Sequence, residues 1–136
     1  MSIFKGSILI VDDDTPAREM LFWGLSRECY HCVAVMSGLD ALDKCAACHF
    51  DVIILNVALP WTPLSELLPS LIRRCPETQF IMVESTVDRE AIEEGIRLGA
   101  CDYVTKPLDI SDVLSRVERA MARRKQPLKS STSLAT

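Results

Sequence analysis

Several polar or charged side chains stand where apolar runs end. Ser7-Ile8-Leu9-Ile10-Val11 runs into Asp12-Asp13-Asp14, Val52-Ile53-Ile54-Leu55 ends at Asn56, Phe80 to Val83 ends at Glu84, and Tyr103-Val104-Thr105 leads into Lys106-Pro107. If the runs are neighbouring strands, these carboxylates, one amide and one ammonium meet in a single crevice. A carboxylate in such a place can act as a nucleophile, because covalent catalysis of that kind needs an ionised oxygen. Asn56 has none. Its amide offers a neutral carbonyl oxygen and a poorly nucleophilic nitrogen, so no catalytic residue is expected.

The cysteines suggest a second chemistry. Cys29-x-x-Cys32 and Cys45-x-x-Cys48 are twelve residues apart, with His31 and His49 beside them. Such spacing is that of tetrahedral zinc sites built on thiolates. The competing reading is core packing of reduced thiols, since a buried free cysteine behaves as a small hydrophobe. Cys75 and Cys101 read as isolated core or loop residues.

The elements that must position these residues follow from periodicity. Five short runs, Ile8 to Val11, Cys32 to Val35, Val52 to Leu55, Phe80 to Val83 and Tyr103 to Thr105, are continuously apolar. That pattern suits strands buried on both faces. Helical segments between them imply right-handed crossovers and a parallel sheet. The first helix takes Thr15 as its cap and Pro16 in its first turn, with Ala17, Met20, Leu21 and Leu25 on one face. The second starts near Ser37 and shows Leu39, Ala41, Leu42 and Cys45. The third carries Leu64, Leu67, Leu68, Leu71 and Ile72, but Pro69 lies among them, so this helix is expected to start late or to kink. The fourth runs from a cap at Asp88 to a stop at Gly99. The fifth shows Ile110, Val113, Leu114, Val117 and Met121. Ligands of such a sheet bind at the carboxyl ends of the strands, which is where Asp12, Asp13, Asn56, Glu84 and Lys106 fall.

A chain of 136 residues fits one domain with a real core. Its net charge of -4 argues against nucleic-acid binding by this domain, because phosphate contacts need a basic surface. No apolar stretch approaches a membrane span. The residues before the first strand are too few for a signal peptide, so a cytoplasmic protein is expected. After residue 122 the chain turns basic at Arg123-Arg124-Lys125, breaks at Pro127 and becomes Ser/Thr-rich. Residues 1–122 therefore read as the domain, and 123–136 as a tail or linker that leads to an absent output domain.

The acidic pair, the residue at 56, the Lys106-Pro107 step and the five-run layout resemble the receiver domain of two-component response regulators over roughly Ser7 to Ala122. The resemblance implies a doubly wound five-stranded parallel sheet in the order 2-1-3-4-5, in three α/β/α layers. It implies that Asp12 and Asp13 form the acidic pocket that holds magnesium, and that Lys106 contacts the phosphoryl group. It further implies a cis bond before Pro107 and a switch carried by the positions of Glu84 and Tyr103. Asn56 matches the phosphoacceptor, where an amide forms no acyl phosphate. With Asp13 and Asn56 as ligands, Mg2+ binding is weakened. The partners implied are a histidine kinase or another signalling protein. A homodimer through the fourth helix, fifth strand and fifth helix is also implied.

Three departures stand out. Glu84 replaces a Thr or Ser, Ser85 replaces a small Ala, and the loop Pro60-Trp61-Thr62-Pro63 lacks the family's Gly and Asp. Lys106 would take Asp12, Asp13 or Glu84 as its partner, and a Glu84–Lys106 pair is one expectation. Three functions are consistent with these residues. The first is a phosphorylation-independent pseudo-receiver. The second is a phosphoacceptor receiver silenced by an Asp-to-Asn change at 56. The third is a zinc- or redox-responsive domain. The number of departures favours the first.

Overall fold

The computed structural model describes residues 3–85 and 88–135, with side chains as far as Arg123. The elements alternate: β1 (Gly6–Val11), α1 (Thr15–Ser26), β2 (Tyr30–Val35), α2 (Gly38–Ala47), β3 (Val52–Asn56), α3 (Leu64–Arg74), β4 (Gln79–Glu84), α4 (Arg89–Leu98), β5 (Asp102–Thr105) and α5 (Ile110–Ala135). All neighbouring strands are parallel, in the order β2-β1-β3-β4-β5. This is the doubly wound sheet that the apolar runs predict.

The runs are continuously apolar because each face of the sheet is roofed by helices. Leu9, Val11, Ile53, Leu55, Phe80 and Met82 pack with α2 and α3 in one layer. Ile8, Ile10, Val52, Ile54, Ile81 and Val83 pack with α1 and α5 in the other. Successive side chains alternate between the layers, as the two-residue strand repeat requires. The central strand β3 is buried along its whole length. Truncating one of its leucines or isoleucines to alanine costs about 3 kcal/mol in such a core.

Two helix starts differ from expectation. Asp14, not Thr15, caps α1: its carboxylate accepts from Ala17 N at 3.2 Å, and Thr15 already opens the helix ahead of Pro16. A carboxylate at the cap also complements the positive end of the helix. α3 begins at Leu64 and runs unbroken through Pro69. The proline removes the bond to the carbonyl of Ser65, but Ser65 is exposed, so water can satisfy that oxygen. Asp88 caps α4 by accepting from Glu90 N and Ala91 N, and Gly99 ends it at φ 126, a conformation that favours glycine. The α5 backbone stays helical to Ala135, through the segment that reads as tail. Its side chains past Arg123 lie outside the described residues.

Candidate functional site

Parallel register brings the ends of β1, β3, β4 and β5 to one rim. Val11 pairs with Leu55, Asn56 with Val83, and Glu84 with Thr105. Asp12, Asn56, Glu84 and Lys106 therefore stand at adjacent strand ends, as the sequence places them.

Asn56 is the centre of the arrangement and is buried. Its Nδ2 donates to Asp12 Oδ1 at 3.2 Å and to Asp13 Oδ1 at 3.0 Å. Both partners are carboxylates that only accept, so the amide must turn its nitrogen toward them. Its Oδ1 faces the other way, toward the backbone N–H of Ala58 at 3.5 Å. Lys106 Nζ lies 3.2 Å from Asp12 Oδ2 and 3.4 Å from Asp12 Oδ1. Asp12 Oδ2 is thus neutralised by a neighbouring charge although no hydrogen bond aligns with it. Asp12 is only 1% exposed, so this compensation decides whether its charge is tolerated. The Lys106–Pro107 peptide bond is cis.

The expected Glu84–Lys106 pair is absent. The ammonium of Lys106 turns to Asp12 and, at 3.9 Å, to Asp14. Only its backbone N–H reaches Glu84, donating to the Glu84 carbonyl at 2.8 Å. The lysine goes where two carboxylates of the β1–α1 loop converge. Glu84 is left 5% exposed, and its Oε2 has no hydrogen-bond partner among the described residues. Burial, and secondarily the charge of Asp88, hold its carboxyl above the ordinary range.

A magnesium ion in this pocket needs several oxygen donors facing inward. Asp12 and Asp13 supply carboxylates, but the third position presents an N–H edge to them. The amide occupies the hydrogen-bonding directions that a cation would use. The donor set in this arrangement does not fit the ion.

Tyr103 lies on the edge strand β5 with its ring partly open to solvent. The Arg116 guanidinium sits over it at 5.9 Å from the ring centre. Arg116 is held by Asp102 and by Asp112, the latter at 3.1 Å.

Two supporting residues escaped sequence reasoning. Asp14 combines the α1 cap with the outer contact to Lys106. Arg18 donates from Nη1 to the Asp12 carbonyl at 2.9 Å, fixing the loop from the helix side. The Asp-x-Pro start of α1 signals the first, while nothing in the sequence marks the second. The two Cys-x-x-Cys pairs do not converge. Cys32 packs with the α1 and α5 layer, whereas Cys45 lies in the α2 and α3 layer on the opposite face of the sheet. Among the described residues no three His, Cys, Asp or Glu side chains are grouped to hold a metal ion.

A sheet in this order with an acidic pocket at the β1 and β3 ends defines a receiver-like domain, and the comparisons agree. The response regulator receiver domain matches residues 8–118, and the chain belongs to that family. It is 36% identical over 122 residues to the response regulator ArlR of Staphylococcus aureus, covering 90% of this chain and 54% of the relative. The chain thus spans about half the length of the curated relatives it matches. A CheY-like receiver domain protein of Methanospirillum hungatei JF-1 superposes with a TM-score of 0.84 at 26% identity, over 89% of this chain and 97% of that one. The chemotaxis response regulator CheY4 of Vibrio cholerae gives 0.78 at 27% identity, over 84% and 97%.

Proposed function

We propose that this receiver domain signals without phosphorylation, as a pseudo-receiver acting through protein–protein contacts in a two-component system. The observation that carries the reading is the Asn56 amide bonded to both Asp12 and Asp13. It replaces the nucleophile and takes over the role of a cation in holding the two carboxylates together. The protein is then not an enzyme, needs no Mg2+, and works in the cytoplasm. Among its described residues no helix is long and apolar enough to cross a membrane.

Its partners are a histidine kinase or another signalling protein. The face of α4, β5 and α5, where Tyr103 is displayed, is the surface we assign to them or to a second copy of the chain. Residues 1–122 form the receiver, and 123–136 connect it to an output domain, in keeping with relatives about twice as long. Nucleic acid is not a target of this domain, given its net charge of -4.

One observation favours a second reading, a phosphoacceptor receiver silenced by the amide alone. Lys106 already stands over Asp12, as phosphoryl binding would require. Intact mass after incubation with a small-molecule phosphodonor and Mg2+ separates the two. The chain itself is expected to gain no phosphate, and a gain overturns the proposal. If Asn56→Asp becomes phosphorylated, the remaining pocket is competent and the second reading stands. If it does not, Glu84 and the altered loop have removed the chemistry as well.

A further inference from the structure

We propose that Cys45 and Cys75 form a dithiol site that hydrogen peroxide closes to a disulfide, tying the last turn of α2 to the end of α3. The site lies at the amino ends of the strands, opposite the acidic pocket, and is independent of the reading above. Cys45 is in α2, and Cys75 is the residue that caps the end of α3. Both belong to the same apolar layer, where α2 and α3 pack against each other. Both also line a cleft of about 370 Å³, together with Cys48, His49, Arg74 and Thr78. Both residues are buried, Cys45 9% and Cys75 8% exposed, and both line the cleft, through which a molecule as small as peroxide must reach them. Sequence spacing would have joined Cys45 to Cys32, but the sheet separates those two. The fold instead supplies Cys75, thirty residues downstream.

Cys75 is the foremost side chain acting on the Cys45 thiol. Burial, then the hydrogen bond and charge of Cys75, push the Cys45 thiol up to about 12, while the charge of Arg74 opposes them. We assign the first attack to Cys75, at the end of α3, and the second to Cys45. The Cys75 thiolate attacks one peroxide oxygen and the O–O bond breaks. The departing hydroxide takes up a proton to become water, and Cys75 is left as a sulfenic acid. Cys45 Sγ then attacks Cys75 Sγ. The S–S bond forms, the S–OH bond breaks, and the Cys45 proton leaves with the hydroxide as water. Two thiols and one peroxide give one disulfide and two waters, with the sulfur pair losing two electrons to the peroxide.

The test is a peptide map of the full chain, fully reduced, exposed to hydrogen peroxide, then unfolded and alkylated without reductant. The expected product is a cross-linked pair of peptides carrying Cys45 and Cys75. Its mass is lower by two hydrogens than the sum of the two, and it is released by reductant. Cys48→Ser is expected to retain that product and Cys75→Ser to lose it. Full alkylation of both Cys45 and Cys75 after peroxide overturns the proposal. So does a map in which Cys48 is the principal partner of either thiol. The wild-type map decides the matter even if a variant fails to fold.

Discussion

The two halves of the strand-end rim solve the problem of buried charge in opposite ways. On the β1–β3 side, Asp12 is surrounded: Asn56 donates to it, Lys106 neutralises it and Arg18 anchors its backbone. On the β4 side, Glu84 is nearly as buried, yet its Oε2 has no partner among the described residues and the charge that bears on it is another carboxylate, Asp88. A buried polar group is tolerated when it is bonded and expensive when it is not. The first half therefore stores little strain, while the second holds a charge that the fold opposes. In a switching receiver both halves would respond to one phosphoryl group. On the reading proposed above, the internal bonds of the chemical half take the place of that group and do not move the other half.

The sharpest way to break this contrast is to remove the compensation of Asp12. Lys106→Met leaves a carboxylate 1% exposed with only neutral donors, the Asn56 amide and the Asp14 backbone N–H, against it among the described residues. A loss of about 3 kcal/mol is expected, as for one partner removed from a buried pair. Urea denaturation at neutral pH measures it. A loss near zero would mean that Asp12 is hydrated after all and that the two halves do not differ.

Asn56→Asp asks whether the amide replaces a cation. In chelator the variant places a third carboxylate against Asp12 and Asp13 and loses both N–H donors. About 2 kcal/mol of stability should go. Added Mg2+ should recover much of it, since an ion that binds only the folded state stabilises by mass action. The wild-type chain should show no such Mg2+ dependence. Equal responses of the two proteins would contradict the assignment of the amide to the cation's role.

The Glu84 half has an effect of opposite sign. Glu84→Met replaces a buried carboxylate, whose Oε2 has no partner among the described residues, by an apolar side chain of similar size and should stabilise the fold by about 1–2 kcal/mol at neutral pH. The pH dependence follows from the raised carboxyl. Between the ordinary carboxylate range and the higher folded value, the native state holds a proton that the unfolded chain has released. Stability from this group is therefore greatest at low pH and falls as pH rises through the folded value. Subtracting the Glu84→Met stability curve from that of wild type should isolate this slope. A flat difference would show that Glu84 finds a partner in solution.

How much of this was legible beforehand divides along the same line. The strands, their parallel pairing and the convergence of Asp12, Asn56, Glu84 and Lys106 could be read from continuous apolar runs ending in polar residues. Those features come from local periodicity and from the general rule for strand ends. The choice of partner for Lys106 could not be read, because it depends on how the β1–α1 loop turns Asp14 toward the ammonium. The cap of α1 moved by one residue for the same reason: Asp14 and Thr15 both have capping side chains, and only the backbone decides between them. The early start of α3 could not be read because the cost of an interior proline depends on whether the freed carbonyl reaches water, which is a tertiary fact. Cys75 reads as an isolated residue in the sequence because nothing local announces that the end of α3 meets the last turn of α2.

Tyr103 gives the smallest effect and probes whether the readout half is fixed. The residue is 37% exposed, and among the described residues the marked contact of its ring is the Arg116 guanidinium, which Asp102 and Asp112 already hold in place. An exposed cation–π contact contributes about 0.5 kcal/mol. Tyr103→Leu should therefore lower stability by about that much, because the side chain contributes little core area from an edge strand. The same substitution made in Glu84→Met should have the same effect, since the ring's outward position does not rest on the acid below. Additivity in this double-mutant cycle, read by denaturant midpoints, means that the outward ring is intrinsic to β5 and α5. A coupling well above 0.5 kcal/mol would mean that Glu84 holds the ring out, and that the switch survives with its trigger replaced by a permanent charge.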